Sequence, residues 1–298
     1  MRRLTLIAVL LFCNSSLAAS TIQHEFISHP NDSAKKVEYY WTKPEKAGRW
    51  PAIIYIHGHQ EPERPGGKDY VDWGVLKDAS EHGYVAVAVS QPGYGESSGP
   101  PDFCGPFTQQ AIQSVIDLFR KKDFVKPDKI GIPGVSRGAI VASMIITQDQ
   151  KKAAAALLSG SYDLHDSFNK LIRARKTDSI AKSIAENIYN EISQTETIKS
   201  TDVLTTQAIK ALTRRAISQE SFSMRSTLSH AEKIKTPLLI LNGAKDNRTF
   251  PYQAKKLSKS VSDKGIYAKV MIYPNFGHFI QVQERSKETI PFFTKHLK

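Results

Sequence analysis

From residue 50 onward, short continuous apolar runs alternate with stretches whose apolar residues recur every three or four positions. The runs are Pro51 to Ile56, Tyr84 to Val89, Lys129 to Pro133, Ala153 to Leu158, Pro237 to Asn242 and Ile266 to Tyr273. Each is too short for a helix, so each reads as a buried strand. The helical period appears over Asp69 to Glu81, Thr108 to Lys122, Tyr252 to Val261 and Gln283 to His296. Upstream, Thr21 to Ser28 and Lys36 to Thr42 alternate with period two, the pattern of antiparallel edge strands. Strands apolar on both faces and separated by helices predict an α/β fold, with a mostly parallel central sheet and helices on both faces. Pro133 lacks the amide of a central strand and predicts that the ladder breaks there.

Residues 161–236 depart from this rhythm: they contain neither glycine nor proline. Ile180, Ile184, Ile188 and Ile192 recur every fourth residue, and Leu204, Ala208, Ala211 and Leu212 form a second stripe. At least two amphipathic helices are predicted, as a cap of about residues 164–232 inserted in one domain of 20–298. Insertions at the C-terminal ends of strands fall beside the ligand crevice, which predicts a lid. The alternative is a helical pair that only packs on the sheet edge.

Within the strand and helix pattern, Gly134-Val135-Ser136-Arg137-Gly138 puts one serine between two glycines at a strand-to-helix junction. Such a turn crowds the positions two before and two after the serine, so only the smallest residues fit. It also aims the helix N-terminus and the Arg137 amide at a reacting oxygen. Serine needs a base to take its proton, and the base needs an acid to fix its tautomer. His278 and Asp246 both follow predicted strands, in the order serine, aspartate, histidine that this topology requires. The competing readings are an Asp246 paired with Lys245 or Arg248 and a His278 capping the last helix; Asp163 is the runner-up acid.

A second oxyanion amide is expected from His59, in the loop Ile56-His57-Gly58-His59-Gln60, where Gly58 lets the backbone approach and His57 anchors the loop. The segment Gln91 to Gly99 is expected beside the elbow. Phe103 is a candidate for the pocket mouth or for local packing. The Arg137 side chain either clamps a substrate carboxylate or pairs with an acidic neighbour. Cys104 is not at the elbow, which argues against a thiol nucleophile. His24, His29, His82, His165, His230 and His296 show no metal-ligand spacing, so no metal and no organic cofactor is expected.

The 298 residues suffice for one large domain. Met1-Arg2-Arg3, the apolar stretch Leu4 to Phe12 and Ser16-Leu17-Ala18 read as a secretory signal over residues 1–19. A stretch of about nine residues is too short to span a bilayer, so export to the periplasm or medium is expected without stable membrane insertion. Loss of that segment would leave Cys104 as the only cysteine and exclude an internal disulfide. The formal charge of +12 would fall to +10 with Arg2 and Arg3 gone, yet no run of five basic residues marks a nucleic-acid surface.

Together, His57-Gly58, Gly93-Tyr94-Gly95-Glu96-Ser97, Gly134-Val135-Ser136-Arg137-Gly138, Gly243-Ala244-Lys245-Asp246 and Gly277-His278 resemble the α/β-hydrolase superfamily. Ile234 to Asp246, followed by Gln253-Ala254, resembles the catalytic domain of prolyl oligopeptidases and their dienelactone-hydrolase-like relatives. The resemblance implies an α/β-hydrolase fold and serine hydrolysis of a small ester or short peptide. Two departures weigh against a peptide. Only a few dozen residues precede the sheet, where such peptidases usually carry a propeller, and Ala139 replaces a common glycine. The leading expectation is therefore a carboxylic ester hydrolase, with a peptidase and a non-catalytic binding protein as alternatives. Pattern alone leaves the oligomeric state open.

Overall fold

The computed structural model describes residues 18–149, 151, 153–195 and 217–298. Most of the expected signal segment, and the stripe from Leu204 to Leu212, lie outside these. Eight strands form one sheet: β1 (Gln23–His29), β2 (Asp32–Thr42), β3 (Trp50–Ile56), β4 (Val85–Val89), β5 (Val125–Val135), β6 (Ala154–Leu158), β7 (Leu238–Gly243) and β8 (Ala268–Tyr273). Their spatial order is β1-β2-β4-β3-β5-β6-β7-β8. β1 and β2 are antiparallel, as is the β2–β4 pair, and every later pairing is parallel. The sheet is thus mostly parallel, as expected from the alternation of apolar runs and helices, and has the α/β-hydrolase form that the motif resemblance implies.

β5 does not end at Pro133. Its register with β6 continues from Pro133–Ala156 to Val135–Leu158. On the β3 side the pairing passes from Ile53–Gly131 directly to Ile56–Gly134, so the missing amide is absorbed in that gap. The expected helix over Asp69 to Glu81 is also divided, into α1 (Lys68–Asp72) and α2 (Val75–Glu81). Gly74, at φ 73°, has the left-handed conformation that breaks it.

The sheet faces are covered as the alternation within each strand dictates. Ile54 and Ile56 share a core with α3 (Pro106–Arg120), α4 (Arg137–Gln148) and α8 (Pro251–Ser262), whereas Ile53 joins Phe292 and Phe293 of α9 (Val282–Leu297). Ala86 and Ala88 of β4 pack under Tyr70 and Leu76 of α1 and α2. Among the described residues no helix is long and apolar enough to cross a membrane.

Where described, the excursion between β6 and β7 is helical: α5 (Leu164–Ala174), α6 (Ser179–Thr195), α7 (Gln219–Ser223) and a tight 3-10 turn, Thr227–Lys233. The isoleucine stripe of α6 is buried at one end only. Four-residue spacing precesses by about 40° per step on a 3.6-residue helix. Ile180 is accordingly exposed, Ile184 half-buried, and Ile188 and Ile192 fully buried, while Ala181 and Ala185 fill the inner face at the start. Phe168, Leu171, Ile188 and Ile192 belong to the same core as the sheet. Each such isoleucine contributes roughly 1.5–3 kcal/mol through burial.

Candidate active site

One residue separates β5 from α4, and it is Ser136, at φ 54° and ψ −115°. A non-glycine residue held there stores about 1–3 kcal/mol of strain, which the surrounding packing must sustain. That packing is backbone on backbone. A Cβ on Gly134 would lie 2.2 Å from the Gly138 carbonyl oxygen, and one on Gly138 2.2 Å from that of Ile56. A Cβ on Gly58 would come within 3.2 Å of the Ser136 Cβ, so the loop after β3 runs against the elbow. Ala139 fits in place of glycine because Gly160 faces it, leaving room for the methyl group.

His278 Nε2 lies 3.0 Å from Ser136 Oγ, and His278 Nδ1 lies 3.0 Å from Asp246 Oδ2. The loops carrying Asp246 and His278 meet without side chains between them: a Cβ on Gly243 would be 2.1 Å from the Gly277 carbonyl oxygen. The amide of Lys245 donates to Phe276 O across the same junction. A carboxylate only accepts, so His278 Nδ1 carries the proton toward Asp246 and Nε2 is left to accept from the serine hydroxyl.

Asp246 also accepts from the Arg248 and Thr249 amides at 2.9 and 3.0 Å, and from the Thr249 hydroxyl at 2.7 Å. Burial alone would raise its pKa. The hydrogen bond and charge of His278, then the Thr249 donors, outweigh burial and hold it below the ordinary 3.8. Asp163, the alternative acid, is occupied elsewhere as the N-cap of α5, accepting from the Asp166 amide.

Two backbone amides near the elbow are left without a partner among the described residues: the N–H groups of His59 and of Arg137, the first residue of α4, have no hydrogen-bond acceptor. His57 anchors the loop between them, its Nε2 accepting from the Gln91 amide at 3.0 Å and its Nδ1 facing Gly58 O at 2.7 Å. Burial lowers the His57 pKa from 6.5 to about 4. The unfolded chain therefore takes the proton first as pH falls from 6.5 toward 4, and stability declines across that window. This gap corresponds to on the order of 3 kcal/mol. In urea titrations at pH 6.5 and 4.5, His57→Gln is expected to lose less stability than the wild type; equal losses would refute the assignment.

The Arg137 side chain is paired internally. Its Nη1 lies 2.7 and 2.9 Å from the two Glu191 carboxylate oxygens and 3.2 Å from the Tyr94 hydroxyl. Its guanidinium sits 4.4 Å above the Phe103 ring, so Phe103 packs locally. Cys104 Sγ donates to Arg137 O, and burial pushes that thiol's pKa well above its ordinary 9.0. Glu191 and Tyr94 are the residues that pattern reading did not single out. For Glu191 a signal exists: it lies three residues after Ile188 and next to Ile192, an acid in the inward-facing register of α6.

Away from the elbow, His24, Glu38 and Glu96 bring ligand-type atoms within 4.8 Å of one another. Protein donors explain this cluster. Buried Glu38 accepts from Ser90 Oγ, Tyr40 Oη and the Glu96 amide, and lies 2.8 Å from His24 Nε2.

The sheet order, the serine elbow after β5 and the acid and histidine after β7 and β8 are those of the α/β hydrolases. A Pyrococcus horikoshii acylaminoacyl peptidase superposes with a TM-score of 0.69 at 18% identity, covering 94% of this chain and 42% of that one. A Pyrococcus furiosus esterase superposes with a TM-score of 0.65 at 16% identity, covering 93% of this chain and 92% of that one. Residues 36–278 match the X-Pro dipeptidyl-peptidase (S15) family, and the chain belongs to it. The uncharacterized peptidase YuxL of Bacillus subtilis (strain 168) is 24% identical over 236 residues, 77% of this chain and 31% of that relative. The chain thus spans about a third of that relative's length.

Proposed function

We propose that this chain is an exported serine hydrolase that cleaves carboxylic esters through an acyl-enzyme on Ser136. The observation that carries the reading is the continuous chain from Ser136 Oγ through His278 to Asp246, with both links at 3.0 Å. As Oγ attacks the ester carbon, its proton passes to His278 Nε2. The carbonyl oxygen takes up the negative charge and is held by the amides of Arg137 and His59. The leaving alkoxide accepts the proton from Nε2 and departs as an alcohol. Water then enters, gives its proton to Nε2, and releases the acid while Oγ regains a proton. Asp246 orients the imidazole and balances its cation. The basic and apolar character of residues 1–12, ahead of Ser16-Leu17-Ala18, supports export.

Family membership keeps a second reading open, cleavage of a short peptide. A dipeptidyl or amino peptidase needs an acid to hold a free ammonium. Among the described residues, three acids near the elbow are engaged: Glu191 with Arg137, Asp246 with His278, and Glu61 with Arg64. That favours the ester. Aryl esters and aminoacyl arylamides, assayed side by side with fluorophosphonate labelling of Ser136, test the proposal. Ester turnover well above arylamide turnover is expected. Arylamide turnover without ester turnover would establish the peptidase, and an unlabelled, inactive protein would indicate a binding function.

A further inference from the structure

Glu191 lies on α6, outside the reacting groups, yet it is buried against the elbow. One carboxylate oxygen is 2.7 Å from Arg137 Nη1, and the other accepts from the Phe103 amide at 3.1 Å. Arg137 Nη1 also reaches the Tyr94 hydroxyl, which in turn is 2.8 Å from His59 Nδ1. A guanidinium only donates, so the Tyr94 oxygen accepts from Arg137 and keeps its own proton for the neutral imidazole of His59. The chain Glu191–Arg137–Tyr94–His59 therefore starts in the helical excursion after β6 and joins the two residues whose amides the proposed mechanism assigns to the oxyanion. Phe103 and Cys104 close the arrangement: both have positive φ, at 48° and 63°, and one stacks on the guanidinium while the other donates to Arg137 O.

We infer that Glu191 is a positioning residue for the oxyanion site, fixing both amide donors through Arg137 and Tyr94. This rests on the hydrolase reading above. Displacing a donor by a fraction of an ångström matters more for the tetrahedral oxyanion than for the bound ester, so the loss belongs in kcat. A positional error of about 1 Å costs on the order of 10²-fold in rate.

The test uses the full chain, Glu191→Gln, Glu191→Ala, and the double replacement Arg137→Met with Glu191→Leu, which removes the buried charge pair together. Melting temperature, kcat and KM for an aryl ester, and affinity for a trifluoromethyl ketone are measured. Such a ketone adds to the serine and leaves its oxygen in the anion site. Glu191→Ala is expected to lose roughly 10- to 100-fold in kcat with KM nearly unchanged, and ketone affinity is expected to fall in parallel. Glu191→Gln, which still accepts from Arg137, recovers part of the loss. The double variant melts near the wild type while its kcat stays low. Should the double variant regain full kcat, or should Glu191→Ala fold and keep the wild-type kcat, the inference fails. Wild-type protein that neither reacts with fluorophosphonate nor hydrolyses any ester would instead overturn the hydrolase reading itself.

Discussion

Ser136→Ala is expected to lower kcat about a million-fold and to abolish fluorophosphonate labelling. In the proposed mechanism this hydroxyl forms the acyl bond, and the alanine methyl has nothing to give His278 Nε2. Folding should survive. The substitution removes a single hydrogen bond and leaves the backbone at φ 54°, so the melting temperature is expected to move by no more than about 4 °C. Ser136→Gly adds a control. Glycine tolerates that conformation without the steric cost borne by serine, so this variant should melt above Ser136→Ala while being equally inactive. Residual turnover near the wild-type rate in either variant would remove Ser136 from the mechanism.

Asp246→Asn is expected to cost about 10⁴-fold in kcat with KM little altered. Asp246 is surrounded by donors: His278 Nδ1, the Thr249 hydroxyl and two loop amides, with Asn242 Nδ2 at 3.3 Å. An asparagine must turn its NH2 toward some of them. If it faces His278, Nδ1 becomes the acceptor, Nε2 carries the proton, and the serine loses its base. The acid limb of stability should change too. A carboxylate held below 3.8 in the folded state contributes fully above that value, and the contribution is lost as pH falls through the lowered one. Asp246→Asn should therefore be less stable at neutral pH and show a flatter decline below pH 4. An unchanged kcat would mean that another group orients the histidine.

The sheet was legible because buried parallel strands are written as apolar runs, and the errors at Pro133 and Gly74 were local. Proline marks a missing donor but not which neighbouring strand loses it. Ser136, Asp246 and His278 were legible as candidates because each follows such a run, so topology already puts them on one edge of the sheet. The hydrogen bonds that tie the Tyr94 hydroxyl to His59 and Arg137 were not, because they join residues 35 and 43 positions away in sequence. For the Arg137 side chain, pattern reading left two fates open, a substrate carboxylate or an internal acid. Its partner lies 54 positions downstream in an excursion that reads simply as helix. Buried ion pairs have no period, and the sole trace is a charge on an apolar stripe.

The fusion of α6 with the rest of the molecule limits what recombination between relatives can achieve. A chimaera that imports a foreign helix in place of α6 also discards the counter-charge of Arg137, a residue that is only 7% exposed. Leaving such a cation unmatched typically costs about 3–5 kcal/mol, a large share of a domain's whole stability. Successful grafts should therefore either carry an acid at the position of Glu191 or exchange the arginine in the same step.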